Sequence, residues 1–470
     1  MNFVFINPPR EIKSNNIWSI INSENPPFGL AVLSAIWDNH GHTSQIIDAA
    51  ALRLMIPEII GRINSSTDFV GITATTPEIS GAIMIARETR KKLPHVKIIM
   101  GGAHPTIFHK ELVENNICDF VVRNEGEIPI TELAKGTACN LIPNLTWRNS
   151  ENAIIINPDS EQYVNLDNLP FPAYDKLPMR LYHSALGAAR KHPSIGMVTS
   201  RGCPGKCTFC FSKMFGSPIR FMSPTRIVAH IEHLQKKYGI REISFYDDTF
   251  TANNRNVAEL CRLIIKKEIK VSWSCFARVD TVTPELLLSM KTAGCHQIMY
   301  GFETADENIL KNINKGIDLK QFQNAILWTQ AASINIRGAF MLGNPGETSA
   351  SMQNTIDYAK NIGAKFAVFN ITTPYPGTEM YKEFLSKNLL LHQNWDLYNL
   401  AQPILKLDTV SDEAVKEYYY KSYRDFYLRP VFILRHIFSI RTFSELLTYT
   451  RAVLKITVLL FRNIFSKPKT

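Results

Sequence analysis

Short apolar runs alternate along the chain with longer stretches whose apolar positions recur every three or four residues. Runs at 3–6, 43–47, 69–72, 97–100 and 120–122 read as strands, and residues 30–37, 54–63, 80–93 and 106–115 between them read as helices. Strands alternating with helices at this pitch predict a doubly wound, Rossmann-like parallel sheet, whose ligands bind at the carboxyl ends of the strands. Those ends carry Asn7, Pro8 and Pro9, then Thr73 to Thr76, then Gly101, Gly102 and His104. No G-x-G-x-x-G follows the first strand, so dinucleotide binding is a weak reading.

Periodicity is lost over residues 144–192. Residues 145–147, 153–156 and 163–164 predict a small hairpin extension, and the proline-fixed segment Leu169 to Tyr174 marks a domain boundary. From 193 to 400, six strands are expected at 196–199, 242–246, 271–276, 297–300, 336–342 and 366–371, with helices between them. Ser223-Pro224 and Thr283-Pro284-Glu285 are helix-start signals. Six units predict a partial (β/α)6 barrel, with a flavodoxin-like sheet as the alternative. Polar residues gather at the strand ends, where parallel barrels place their chemistry: Asp247 and Asp248, Arg278, Glu303, Gly343 and Asn370. The expected division of this α/β chain is 1–143, 144–192, 193–400 and a helical, basic tail at 401–470.

Composition changes this picture little. Hydrophobic content of 45% and charge of 20% are ordinary for a folded protein, and 470 residues suffice for two or three domains. The net charge of +10 is concentrated in the last 45 residues, where eight lysines and arginines face only Glu445. No nucleic-acid partner is therefore expected. Arg451, Lys455 and Arg462 fall within about 40° of one another on a helical wheel. The tail is either a helical cap on the barrel or an interfacial helix at an anionic membrane. There is no basic n-region with a following apolar run, and no stretch long enough to span a bilayer. With free thiols, this points to the reducing cytoplasm, with peripheral contact at the inner membrane face if the tail is interfacial.

The candidate chemistry lies directly after the first barrel strand. Cys203, Cys207 and Cys210 stand in C-x3-C-x2-C spacing, with Gly202 and Gly205 freeing the backbone. Structural zinc or a fully ligated cluster needs four protein ligands, so three thiolates point to a [4Fe–4S] cluster with one open iron. Cys118, Cys139, Cys261, Cys275 and Cys295 are scattered and read as ordinary buried thiols.

The cysteine loop, with Phe209 before its last cysteine, resembles that of the radical S-adenosylmethionine (SAM) enzymes. The resemblance implies that the open iron chelates the amino acid part of SAM. It implies further SAM contacts at Asp247 and Asp248 near the amino nitrogen, at Arg278, and at Glu303 on the ribose. Gly338 and Gly343 would let the backbone approach the adenine or methionine part, and Asn370 would border adenine. The first third is similar to the cobalamin-binding domain that precedes many such barrels, on Pro27-Phe-Gly-Leu30, Gly101-Gly-Ala-His-Pro-Thr106 and Glu125-Gly-Glu127. The implied cobalamin residues are Asn7, Pro8, Gly29, Thr73, Thr75, Gly101, Gly102, His104, Glu125 and Gly126; His104 could equally cap the next helix. The chain lacks the D-x-H-x-x-G motif that puts histidine on cobalt, and Asn124 replaces the family's usual glycine.

The combination implies reductive cleavage of SAM to a 5′-deoxyadenosyl radical, with cobalamin carrying a methyl group to an unactivated carbon. A flavodoxin or ferredoxin would supply electrons, and the substrate would be a small molecule or lipid-like. An oxidative cyclase or rearrangement enzyme with the same cofactors is the second reading, and a non-catalytic iron–sulfur sensor the third.

Overall fold

The computed structural model describes residues 1–9, 23–185, 187–216 and 218–437. Five parallel strands, β1 (Asn2–Asn7), β2 (Thr43–Asp48), β3 (Phe69–Thr73), β4 (Lys97–Gly101) and β5 (Phe120–Val122), lie in the order β2-β1-β3-β4-β5. Helices α1 (Phe28–Asn39) and α3 (Glu127–Ala134) share a core with Phe3, Phe5 and Ile99 of the sheet. On the opposite face, α2 (Ile79–Lys92) packs on Val4, Ile6, Val70 and Ile98. Both faces are thus apolar, as a parallel sheet between helices requires. Chain order reverses at β1, which lies between β2 and β3, and this switch point opens the crevice at the strand ends.

Three local expectations changed. The hairpin of β6 (Leu145–Arg148) and β7 (Ile154–Ile156) is no separate extension: β6 pairs antiparallel with β5 and continues the first sheet. Residues 163–164 form no strand; the Tyr163 ring instead carries the Arg220 guanidinium 4.8 Å from its centroid. The helix expected over 54–63 is shortened to Ile56–Gly61, and a separate helical turn, Ala49–Leu52, precedes it and ends where Arg53 turns left-handed (φ 53°).

The second sheet has six parallel strands: β8 (Ser194–Met197), β11 (Glu242–Phe245), β12 (Ser272–Ala277), β13 (Cys295–Glu303), β14 (Asn335–Leu342) and β15 (Phe366–Ile371). The short strands β9 (Ser200–Arg201) and β10 (Arg220–Phe221) pair antiparallel outside it. Connecting helices α4 (Pro224–Tyr238), α5 (Asn254–Lys266), α6 (Pro284–Thr292), α7 (Leu319–Ala331) and α8 (Ser349–Asn361) follow their strands. The start of α4 is set by Ser223, whose hydroxyl accepts from the Arg226 amide with Pro224 at the first position, and Gly239 (φ 64°) ends it. β8 and β15 do not pair, so the barrel is open as expected. Helix α9 (Asp412–Tyr427) covers its β15 edge. There the Tyr423 hydroxyl donates to the Phe369 carbonyl (2.9 Å) and that of Tyr427 to the Ala367 carbonyl (2.6 Å), satisfying groups that an exposed edge would leave open.

One apolar core runs from Phe3 and Leu30 through Leu169, Tyr174 and Leu177 into Ile195 and Phe245, so sheet and barrel pack as one unit. Helix α10 (Pro430–Ile437) follows α9, and among the described residues no helix is long and apolar enough to cross a membrane. The basic stripe at Arg451, Lys455 and Arg462 lies outside the described residues.

Candidate functional site

The cysteine loop leaves the barrel at the end of β8 and is closed at its base by the β9–β10 ladder, in which Arg201 opposes Arg220. Asp247, directly beyond β11, holds that base. Its buried carboxylate accepts from the Thr199 amide (2.8 Å), the Thr199 hydroxyl (3.0 Å) and the Ser200 hydroxyl (2.5 Å). Burial outweighs these bonds and raises its pKa to about 6. Its neighbour Asp248 points the other way and lines the cavity described below.

Within the loop Gly202 takes φ 93°, and a β-carbon on Gly205 would lie 3.4 Å from the Cys203 sulfur and 3.7 Å from that of Cys207. Any side chain there would therefore wedge into the space between the thiols. The Gly205 amide donates to the Cys203 sulfur (3.4 Å), and the Thr249 hydroxyl is 3.2 Å from it. Burial pushes the Cys207 thiol up, while Lys315 and Arg278 favour its thiolate. No three His, Cys, Asp or Glu side chains among the described residues close on a single ion. Three thiols on one short loop suit an iron–sulfur cluster, whose cysteines each ligate a different iron.

Around the loop, the Arg278 guanidinium pairs with Asp280 (2.9 Å) and donates to the Lys315 carbonyl (3.0 Å). Glu303 sits at φ 66° at the end of β13, with its carboxylate 2.7 Å from the buried Lys315 ammonium. Lys315 is also 5.9 Å from the Phe209 ring centroid, and Phe209 packs against the cluster of Ile313, Met380, Phe384 and Leu405. Lys315 was missed in the sequence because it stands in a turn, away from any strand end. Asn370, on β15, has a buried amide oxygen with no partner.

Two glycines are placed differently. The missing side chain of Gly338 faces Phe340 (2.6 Å) and Phe302 (3.5 Å) on the helix side of the sheet, so its open space is filled by aromatic core. Gly343 needs φ 77° for its turn, and a β-carbon there would meet Val415 of α9 at 2.8 Å.

A cavity of about 420 Å³ opens between the carboxyl edge of the first sheet and the barrel. Of the residues expected to hold cobalamin, Gly29, Thr73, Gly101, Gly102, Glu125 and Gly126 line it, while Met197, Val198, Ser200, Arg201, Tyr246 and Asp248 line it from the barrel side. Its floor is cut back to backbone. Gly102 takes φ 100°, and a β-carbon on it would lie 2.8 Å from the Ala74 carbonyl; one on Gly126 would meet Leu33 at 3.1 Å. This wide, mostly apolar crevice with a glycine floor fits a large planar group.

Asn7, Pro8, Thr75 and His104 do not line the cavity. Asn7 donates to Asp48 (2.8 Å), and Thr75 donates to Glu78 (2.7 Å), closing a helix cap. His104 is buried between Phe108 and Trp395, with Nδ1 3.2 Å from the Thr76 hydroxyl; burial lowers its pKa to about 4, keeping it neutral.

Four charges, the buried Glu127 and the half-buried Glu125, Arg201 and Arg220, cross the cavity rim. Glu125 takes Arg201 (3.2 Å) and Arg220 (2.9 Å), and Glu127, only 7% exposed, pairs with Arg201. The ion pairs connect the loop after β5 to the base of the cysteine loop. Arg201 stood two residues before Cys203 in the sequence, but its partners are more than seventy residues away.

The radical SAM superfamily model matches residues 197–359 and the B12 binding domain model residues 20–134. With the cysteine loop and the glycine-floored cavity, these matches define the class: the chain belongs to the cobalamin-dependent radical SAM enzymes, whose cofactors are a [4Fe–4S] cluster, SAM and cobalamin. Within that class, an uncharacterized methyltransferase of Pyrococcus horikoshii is 34% identical over 447 residues, covering 93% of this chain and 95% of the relative. The bacteriochlorophyllide d C-8(2)-methyltransferase of Chlorobaculum tepidum is 26% identical over 81% of this chain and 82% of its own length. The anaerobic magnesium-protoporphyrin IX monomethyl ester cyclase of Rubrivivax gelatinosus is 25% identical over 87% and 75% respectively. Among solved structures, OxsB with aqua-cobalamin superposes with a TM-score of 0.73 at 16% identity, over 98% of this chain and 72% of that one. TsrM from Kitasatospora setae, with cobalamin and a [4Fe–4S] cluster, gives 0.67 at 15% identity, over 92% and 89%. At these identities the two structures speak to the fold alone.

Proposed function

We propose that this enzyme methylates an unactivated carbon of a small-molecule or lipid-like substrate, with a flavodoxin or ferredoxin as its reductant. The observation that carries this reading is the shared cavity: one wall is the glycine floor of the first sheet, and the other is the barrel edge from which the cysteine loop rises. When bound, the cluster supplies the electron that cleaves SAM, and cobalamin supplies a carrier for the methyl group.

In this reading Cys203, Cys207 and Cys210 hold the cluster, and Lys315 and Arg278 offset its negative charge. Asp248, Glu303 and Asn370 orient SAM, with Phe209 at its edge. Gly29, Thr73, Gly101, Gly102 and Gly126 let the corrin lie close to backbone. Asp247 acts one step back, by fixing the base of the cysteine loop, and the Arg201–Glu127 pair keeps both walls in register while excluding water. Gly338, whose missing side chain faces the helices, offers SAM its backbone alone. His104, neutral and away from the cavity, takes no part in holding cobalamin in this reading.

Anaerobic reconstitution with iron, sulfide and hydroxocobalamin, followed by SAM and dithionite, tests the reading. A corrinoid absorbance band, with S-adenosylhomocysteine and 5′-deoxyadenosine both formed, is the expected result. Protein that takes up no corrinoid, or consumes no SAM, would refute it. The likeness to the magnesium-protoporphyrin ester cyclase supports a second reading, oxidative ring closure; it predicts 5′-deoxyadenosine without methyl incorporation into product.

A further inference from the structure

Strand β14 carries an arginine into the interior of the barrel. Side chains alternate along a strand, and the missing side chain of Gly338 faces Phe340 and Phe302 on the helix side. Arg337, one residue earlier, therefore faces the lumen, in register with Met299 on β13 and Phe366 on β15. Just below this layer the segment around Gly187 closes the barrel: the Gln297 amide donates to the Gly187 carbonyl (3.0 Å), and Phe366 packs against Gly187. Arg337 is thus in the first lumen layer above the floor.

Among the described residues its guanidinium has no hydrogen-bond or ion-pair partner. Arg337 is 8% exposed, its Nε makes no hydrogen bond, and it forms no ion pair or ring stack among the described residues. The titratable groups that face it are the phenols of Tyr246 from the barrel wall and of Tyr423 and Tyr427 from α9, with no carboxylate among them. Among the described residues the other arginine buried to this degree, Arg123, is 6% exposed; it pairs with Asp159 and donates to Thr146 (2.6 Å) and the Asn157 carbonyl (2.6 Å). A buried, unpaired cation is among the costliest arrangements a fold can carry, and folds keep such costs where function uses them. Two neighbours show which way the lumen leads. Tyr246 also lines the cavity beside the first sheet, and the unpartnered Asn370 oxygen lies further up the lumen on β15.

We propose that Arg337 is the anchor for an anionic group of the substrate, a carboxylate or a phosphate, held at the closed end of the barrel. The rest of the substrate then extends past Asn370 toward the cysteine loop. The planar guanidinium fork matches either anion in a bidentate pair, and the dry site strengthens it. This rests on the reading that the lumen is the substrate site. It also sets the substrate class: a molecule whose anionic end is separated from the carbon that reacts.

The test is calorimetric titration of holoenzyme saturated with SAM, without reductant, using phenyl phosphate in one arm and benzoate in the other. One of the two anions should bind one to one, and the arm that binds identifies the anion. Arg337→Met should weaken that binding roughly ten-fold or more, and Arg337→Lys should retain part of it. Without anion, Arg337→Met should melt above the wild type, because it removes an unpaired buried charge; a structural arginine would do the reverse. No binding of either anion by the wild type, equal binding by Arg337→Met, or a lower melting point for that variant would each overturn the proposal. Corrinoid uptake and SAM consumption by the wild type are scored separately, so failure of the enzymatic reading is seen apart from failure of the anion site.

Discussion

Replacing Arg201 with methionine would leave the Glu127 carboxylate buried at the rim between the two walls of the cavity. In the wild type Glu127 is 7% exposed, and the first influence on it is burial, which opposes its charge; Arg201 more than compensates and holds its pKa below the usual range. Removing one partner of a buried pair costs about 3–5 kcal/mol. The cost has a ceiling, because the carboxylate can take up a proton instead. From an ordinary value of 4.5, protonation at pH 7 costs about 3.4 kcal/mol, at roughly 1.36 kcal/mol per pH unit. Arg220 remains paired with Glu125, so that acid adds little. The variant should therefore lose about 3 kcal/mol at pH 7.

The pH dependence separates this account from simple loss of packing. In the wild type a depressed pKa adds stability above the unfolded value, and that stability is lost as pH falls through the folded value. In the variant, burial is the largest influence on Glu127 and is opposed only by its backbone hydrogen bond and by Arg220, so its pKa moves up and acid relieves the strain. The two stability curves should close to within about 1–2 kcal/mol by about pH 5, where the protonated acid lacks only its lost hydrogen bonds. Adding Glu127→Gln to the variant should recover all but about 1–2 kcal/mol at pH 7. Guanidinium unfolding of wild type, both single variants and the double variant, followed by tryptophan fluorescence at pH 5, 6 and 7, measures all of this. A deficit that stays constant over that range, or is already below about 1 kcal/mol at pH 7, would show the network to be solvated and the reasoning wrong.

Three further outcomes follow from the same geometry. Cys207→Ala should abolish 5′-deoxyadenosine formation while corrinoid uptake, read by absorbance, stays near the wild-type level; product from this variant would end the cluster assignment. Gly102→Val should fold yet fail to retain corrinoid, because a left-handed residue and a β-carbon 2.8 Å from the Ala74 carbonyl must both be accommodated at the cavity floor. Undiminished absorbance would show that the floor is not used. Burial raises the Glu347 pKa to about 7, against the Asn344 amide that donates to it at 2.9 Å. A raised acid pKa means stability falls as pH rises from about 4.5 to about 7, then levels off. Glu347→Gln should flatten that slope in thermal melts, and an unchanged slope would place the titration elsewhere.

What could be read in the chain was what adjacent residues decide. The six barrel strands, the Ser223-Pro224 helix start and the three-cysteine loop each depend on a few consecutive positions; the strands and the helix start formed where expected to within three residues. Pairing over distance was not readable. Nothing local tells the 145–156 hairpin to join β5, or Arg201 to find Glu127 across the cavity.

A third kind of information was present but unused, namely which side of a strand each residue faces. Asp247 and Asp248 both stood at a strand end and seemed equivalent by position, yet successive residues point oppositely. One fixes the base of the loop and the other enters the cavity. The same parity sends Gly338 to the helix side and Arg337 into the lumen. In a parallel strand buried on both faces, a single charge in an apolar run already marks a position where something other than packing is selected. The run 336–342 carries one such charge, and the strand's own alternation aims it into the barrel lumen.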